Sequence, residues 1–173
     1  MAIKKLLNMF FFTSDEHFSH FNILSYCHRP FSSIEEMDNA IIQRHNEVVG
    51  SEDTVYHLGD FTLKHKAENY IRRLNGKHIF LKGSHDYWNK ELPYIIEKEI
   101  DGIYIVMCHY SMRSWPRSFH GSWHLFGHSH GCLPFLGKSF DVGVDTNNFY
   151  PYSFEQIKKI MAKKEDNFNL VKK

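Results

Sequence analysis

Imidazole and carboxylate side chains recur along this chain in short clusters, each placed directly after an apolar run. Asp15 and His17 follow "NMFFFTS", Asp60 follows "TVYHLG", and Ser84, His85 and Asp86 follow "HIFLKG"; His109 closes "IYIVMC", and His128 and His130 follow "WHLFG". These are the side-chain types that hold transition metals. Two residues apart on an extended segment means one shared face, so Asp15 with His17 and His128 with His130 would each present two groups together. Taken singly, Asp60 reads as a turn or cap residue and His109 as a satisfied core histidine. All five clusters together, in this order and context, argue for one site. Of the 13 histidines, His45, His65 and His78 stand in surroundings that read as helix surface or turn.

The elements that must position these groups can be read from periodicity. A strand over 8–14 leads into Asp15. "SSIEEMDNAIIQRHNEVV" has Ile34, Met37, Ile41 and Ile42 at helical spacing behind a serine–glutamate cap, which predicts a helix over 34–48. A strand over 54–58 follows, then a helix in "KAENYIRRLNG" with Tyr70, Ile71 and Leu74 inward, then a strand over 77–82. The β-type runs 94–100 and 103–108 flank Asp101-Gly102, a hairpin signal. Further strands are expected in "SWHLFGHSHG" and "SFDVGVD", and a last helix in "YSFEQIKKIMAKKE", capped by Ser153 and Gln156. Alternation of strand and helix makes this an α/β chain, and each cluster falls at the carboxyl end of a strand, where open α/β sheets keep their sites.

The ordered pieces "SDEH", "LGDF", "KGSHDYW", "MCHY" and "FGHSHG" resemble the motifs of the calcineurin-like metallophosphoesterases, and the small size resembles their compact single-domain members, as does "VGVDTNNFYP". The resemblance implies a four-layer α/β/β/α sandwich of two mixed β-sheets flanked by helices. It also implies that Asp15, His17 and His130 hold one divalent ion, that His109 and His128 hold a second, and that Asp60 bridges both. Two dications against the two carboxylates leave a positive surplus suited to phosphate and hydroxide. The activity implied is hydrolysis of a phosphodiester or phosphomonoester by a metal-activated hydroxide, with His85 as general acid or phosphate ligand and Asp86 to orient it. Mn²⁺ is the first expectation for the cofactor, with Fe, Zn or Ni as alternatives. Ser84 departs from the pattern, since the family has an asparagine there as a ligand of the second metal. Either a water fills the gap, or the second metal is weakly held, or an original asparagine has been altered.

Asn22, Arg29 and Arg113 lie close after the first and fourth motifs and are candidates to meet substrate phosphate, with arginine offering forked donors. Tyr110, Trp115 and Phe119 could stack a base. A small phosphoester is the expected substrate, nucleotides and cyclic nucleotides among the candidates. A nuclease acting on DNA or RNA ends would want an electropositive groove, whereas 21 basic residues stand against 20 acidic ones. A non-enzymatic scaffold stabilised by metal is the remaining alternative. At 173 residues one domain is expected over 1–166, with 167–173 as a tail. "LLNMFFF" is interrupted and far shorter than the roughly 20 apolar residues of a membrane span. Cys27, Cys108 and Cys132, an odd set without CxxC, fit free thiols in the cytoplasm. Neither a membrane nor a protein partner is implied.

Overall fold

The computed structural model describes residues 8–63, 67–134 and 136–171; His65 and the start of "LLNMFFF" lie outside them. Two four-stranded sheets form the centre. The first has β1 (Phe10–Thr13), β2 (Thr54–His57), β3 (Lys77–Phe80) and β8 (Tyr152–Ser153), in the order β3-β2-β1-β8. Its β1, β2 and β3 run parallel, with Phe10 opposite Thr54 and Thr54 opposite Lys77, while β8 is antiparallel to β1. The second sheet is β4 (Ile95–Ile100), β5 (Ile103–Cys108), β6 (Trp123–Phe126) and β7 (Ser139–Asp141), in that order. Only its β4–β5 hairpin is antiparallel. Both sheets are therefore mixed, as expected.

Strand alternation separates two cores. Phe12, Tyr56 and Leu81 of the first sheet's side meet Ile105, Met107 and Leu125 of the second, and Ile157 and Met161 of α4 (Phe154–Ala162) join them. Phe11 and Val55 point the other way, against Val49 at the end of α2 (Ile34–Val48). The caps behave as read: Ser33 accepts from the Glu36 N–H, and Ser153 and Gln156 form a reciprocal box. Asp101 and Gly102 have φ of 50° and 76°, the paired left-handed geometry of a tight hairpin. Two short elements carry too few residues for periodicity to reveal, α1 (Ile23–Tyr26) and β8. α3 (Ala67–Ile71) ends earlier than expected, and its apolar side finishes in turns up to Leu74.

A loop packs on the second sheet at His124. Trp115 lies 5.3 Å from the His124 ring and donates to the Ser122 carbonyl, closing that face with a 3₁₀ turn at Ser118–His120. Pro116 and the polar residues around it offer no apolar stripe for a helix. The residues read as a tail are seated on this loop. Asn167 is buried, takes the Lys138 N–H at 2.8 Å and donates to the carbonyls of Ser118 and Ser122. Among the described residues no helix is long and apolar enough to cross a membrane.

Ile157 is fully buried between α4 and both sheets. Ile157→Ala should cost about 2–5 kcal/mol by leaving a cavity there, read as a lower urea midpoint at unchanged slope.

Candidate metal centre

The loops leaving the strands are stitched to one another before any side chain is considered. Asp15 N–H donates to the Gly59 carbonyl at 3.0 Å and His17 N–H to the Asp60 carbonyl at 2.9 Å, so the first two motifs share one backbone ladder. The fourth and fifth meet where Gly127 N–H donates to the His109 carbonyl at 3.0 Å. Within this frame the backbone is not extended, as the spacing of Asp15 and His17 had suggested. Asp15, His17, Asp60, His128 and His130 have φ of 60°, 53°, 55°, 65° and 46°. Left-handed backbone at non-glycine residues is uncommon and costs free energy, and here it turns each side chain inward from the strand end. Gly127 allows the closest approach, since a Cβ there would lie 2.0 Å from Ser14 Oγ and 2.5 Å from Asp15 Oδ2.

Two ligand groups result, each able to offer three atoms within 4.8 Å of one another: Asp15, His17 and His130, and Asp60, His109 and His128. Asp60 also joins His17 and His85 in a group of the same kind, so it faces both sides. His17 Nε2 stands 3.6 Å and His109 Nε2 3.3 Å from Asp60 Oδ2. Both nitrogens are buried and without a hydrogen-bond partner. Buried polar atoms are nearly always satisfied, so two such nitrogens aimed at one carboxylate fit divalent ions. The other face of His109 is committed, with Nδ1 against the Leu58 carbonyl at 2.9 Å. Burial pushes the Asp15 carboxyl up to about 7 and drives His17 well below its ordinary value. Burial opposes ionisation of Asp60 too, but the attraction of His109 and His17 overcomes it and holds that carboxyl low. A buried carboxylate facing two imidazole nitrogens that have no other partner fits a cation.

No family model matches the chain. An uncharacterized protein of Methanocaldococcus jannaschii is 35% identical over 174 residues, covering 94% of each chain. The chain and that protein therefore share one family. A protein of unknown function from Aquifex aeolicus superposes with a TM-score of 0.71 at 25% identity, over 89% of this chain and all of that one. Wild-type Vps29 of Entamoeba histolytica, complexed with Zn²⁺, superposes with a TM-score of 0.50 at 18% identity, over 78% of this chain and 73% of that one, a likeness of fold. Five ordered motifs sit on this architecture. The chain has the calcineurin-like metallophosphoesterase fold.

The third motif departs most from expectation. His85 sits at the mouth, 37% exposed, with Nε2 3.9 Å from Asp60 Oδ2 and its own N–H donating to Asp60 Oδ1 at 2.8 Å. Ser84 Oγ donates to Asp60 Oδ2 at 2.9 Å, so the hydroxyl serves the shared carboxylate. Asp86, expected beside the His85 ring, is instead turned into the protein. It accepts from the backbone N–H groups of Asp60, Phe61 and Gly83 at 2.7, 3.0 and 2.8 Å and from Trp88 Nε1 at 2.9 Å. Four donors saturate a carboxylate. Asp86 therefore clamps the second and third motifs together and does not orient His85.

Arg29, expected to meet substrate, is 4% exposed. Its Nε and Nη2 grip Asp145 at 2.8 and 2.7 Å, and its Nη groups donate to the carbonyls of Glu16 and Asp15 at 3.0 and 2.6 Å. Asp145 in turn lies 2.7 Å from His130 Nδ1. A guanidinium with its donors so committed holds the metal loop and has none left for substrate. Asn22 and Arg113 are exposed, Asn22 as the cap of α1. Sequence reading missed Asp145 and Asp141. Asp141 takes Ser129 Oγ and the N–H groups of Gly131 and Gly143, pinning the last motif. His20 Nδ1 meets His17 Nδ1 at 3.1 Å. The one available signal was "VGVD", a carboxylate ending a β-type run.

The Asp145 contact outweighs the effect of burial and holds the His130 imidazole protonated up to about 10. Metal must displace that proton, and part of one from Asp15, so affinity should fall as pH falls. Calorimetry of metal binding in buffers of different ionisation enthalpy should show proton release at pH 7.5, and Asp145→Asn should lower the count by up to about one proton per protein. An unchanged count would mean that Asp145 does not hold the His130 proton.

Proposed function

We propose that the chain hydrolyses a phosphoester with two divalent ions, one held by Asp15, His17 and His130, the other by Asp60, His109 and His128, with Asp60 shared. The observation that carries this reading is the pair of buried, unpartnered Nε2 atoms of His17 and His109 on either side of one ionised carboxylate. When bound, such ions polarise a phosphoryl oxygen and lower the pKa of a water that attacks phosphorus in line. The chain itself supplies position and protons. Asp60 keeps its charge chiefly through His109 and His17, and Ser84 Oγ and the His85 N–H also donate to it. His85, half-open to solvent at the mouth, can reach a leaving oxygen and protonate it, while His20 lies 5.2 Å away ring to ring and lines the same side. Exposed Tyr110 packs 4.8 Å from the His128 ring, at the edge where a substrate's organic part would lie. Small phosphoesters, nucleotides and cyclic nucleotides among them, are the substrates this reading calls for. The mixed oxygen and nitrogen donors suit Mn²⁺ first and Fe, Zn or Ni next.

Chelated protein should recover hydrolysis of an aryl phosphate diester or monoester when Mn²⁺ is returned. No response to any added divalent ion would leave the scaffold reading in its place. His85→Ala should keep its metal and lose about 10²–10⁴-fold in turnover, whereas Asp60→Asn should lose both ions. Equal metal loss in the two variants would assign His85 to the metals.

Ser84 stands where the resemblance calls for an amide ligand, and its hydroxyl is spent on Asp60. Ser84→Asn should tighten the second ion alone, so that activity rises more at limiting than at saturating Mn²⁺. Identical half-saturation in a metal titration of both proteins would show that the site does not need the amide.

A further inference from the structure

A further group shares His130 with the first ion's ligands and adds Cys27, which the proposed reaction does not use. Cys27, His130 and Asp145 can offer three atoms within 4.8 Å of one another. Cys27 is a free thiol, half-buried at the end of α1, and its sulfur contacts the His130 imidazole. The His130 and Asp145 side chains are 19% and 11% exposed, so solvent and an ion can reach them. We infer that Cys27, His130 Nδ1 and Asp145 form a separate outer site for a thiophilic divalent ion, zinc above all, whose occupation competes with the first ion of the metal centre.

The donor set decides the ion. Thiolate, imidazole and carboxylate with one water make a four-coordinate zinc site, whereas Mn²⁺ and Mg²⁺ gain little from sulfur. Ordinary zinc bond lengths place ligand atoms roughly 3.3–3.6 Å apart, so Nδ1 and Asp145 Oδ2, now 2.7 Å apart, need only open slightly. Arg29 steadies that carboxylate from behind but also draws off part of its charge. The thiolate is therefore the ligand on which binding turns. Loading the outer site releases two protons to solvent, one from the Cys27 thiol and one from His130 Nδ1, and leaves the ring's remaining proton on Nε2. A neutral imidazole has a single lone pair, so His130 serves either Nδ1 outward or Nε2 inward toward Asp15 and His17. Zinc outside weakens the ion inside.

Cobalt(II) is the direct probe, because sulfur ligation gives it an intense near-ultraviolet charge-transfer band that nitrogen and oxygen ligands do not. The full chain titrated with Co²⁺ should develop this band; Cys132→Ser should keep it, and Cys27→Ser should lose it. Absence of the band in the full chain, or its survival in Cys27→Ser, would overturn the site. Should Cys27→Ser fold poorly, protection of Cys27 from iodoacetamide by Zn²⁺ in the unaltered chain, located by mass spectrometry, reads the same contact, and no protection overturns it. The competition rests on the proposed hydrolase activity: excess Zn²⁺ should inhibit the Mn²⁺-loaded protein, with inhibition at least about tenfold weaker in Cys27→Ser. A cobalt band without any hydrolysis would retain the outer site and reject only the reaction. Equal inhibition of both proteins would reject the competition.

Discussion

A carboxylate removed from water must be balanced by what surrounds it, and Asp60 imposes that constraint on the whole centre. It is 2% exposed and ionised. The nearest groups are a hydroxyl, a backbone N–H and two imidazoles whose inward nitrogens have no other partner. Neutral donors alone compensate a buried charge poorly, and cations complete it. Everything that fixes the position of Asp60 thus also fixes where two ions can sit. Asp86 carries most of that work, gripping the backbone on both sides of the gap between Asp60 and Gly83. A Cβ on Gly83 would come within 2.2 Å of Asp60 Oδ1 and one on Gly59 within 2.7 Å of the Gly83 nitrogen, so the two loops touch where both lack a side chain.

Five ligands in left-handed backbone are unfavourable locally, and the compensation is not local. Each strained turn is held by a buried group from another motif. Arg29 takes the Asp15 and Glu16 carbonyls, Asp15 takes the His128 N–H at 2.9 Å, and Asp141 takes the N–H groups that flank His130 and Val144. Tension at any one turn is therefore shared through hydrogen bonds joining the ends of both sheets. A rigid cradle of this kind gives ligands fixed places before an ion arrives.

The division between what could and could not be read from the sequence follows from this. Strand ends and their metal-type side chains are contiguous in sequence, so "LGDF" and "GHSH" announced themselves, as did helix 34–48 through its cap and stripe. The supports are contacts at long range. Arg29 and Asp145 lie 116 positions apart, and nothing in "CHRPF" says that its guanidinium will be buried rather than offered to substrate. Asp86 was misplaced for the opposite reason, since adjacency to His85 suggested a partnership that opposite side-chain directions prevent. The residues from Asn167 onward looked like a tail because seating by side-chain amide bonds leaves no periodic mark.

The two ion sites are also supported unequally. His130 gives its Nδ1 proton to a carboxylate that is itself held by an arginine, whereas His109 gives its own to the Leu58 carbonyl, a neutral acceptor. A carboxylate behind an imidazole makes it the stronger donor to metal. On the second side, Ser84 is turned to Asp60 and His128 is exposed. The first site is thus the deep and electron-rich one, and the second faces solvent with a shorter complement of ligands. An ion there would exchange more readily and keep more positions open to water and phosphate, so under the proposed hydrolysis the working face would lie between Asp60, His85 and His128 rather than around Asp15.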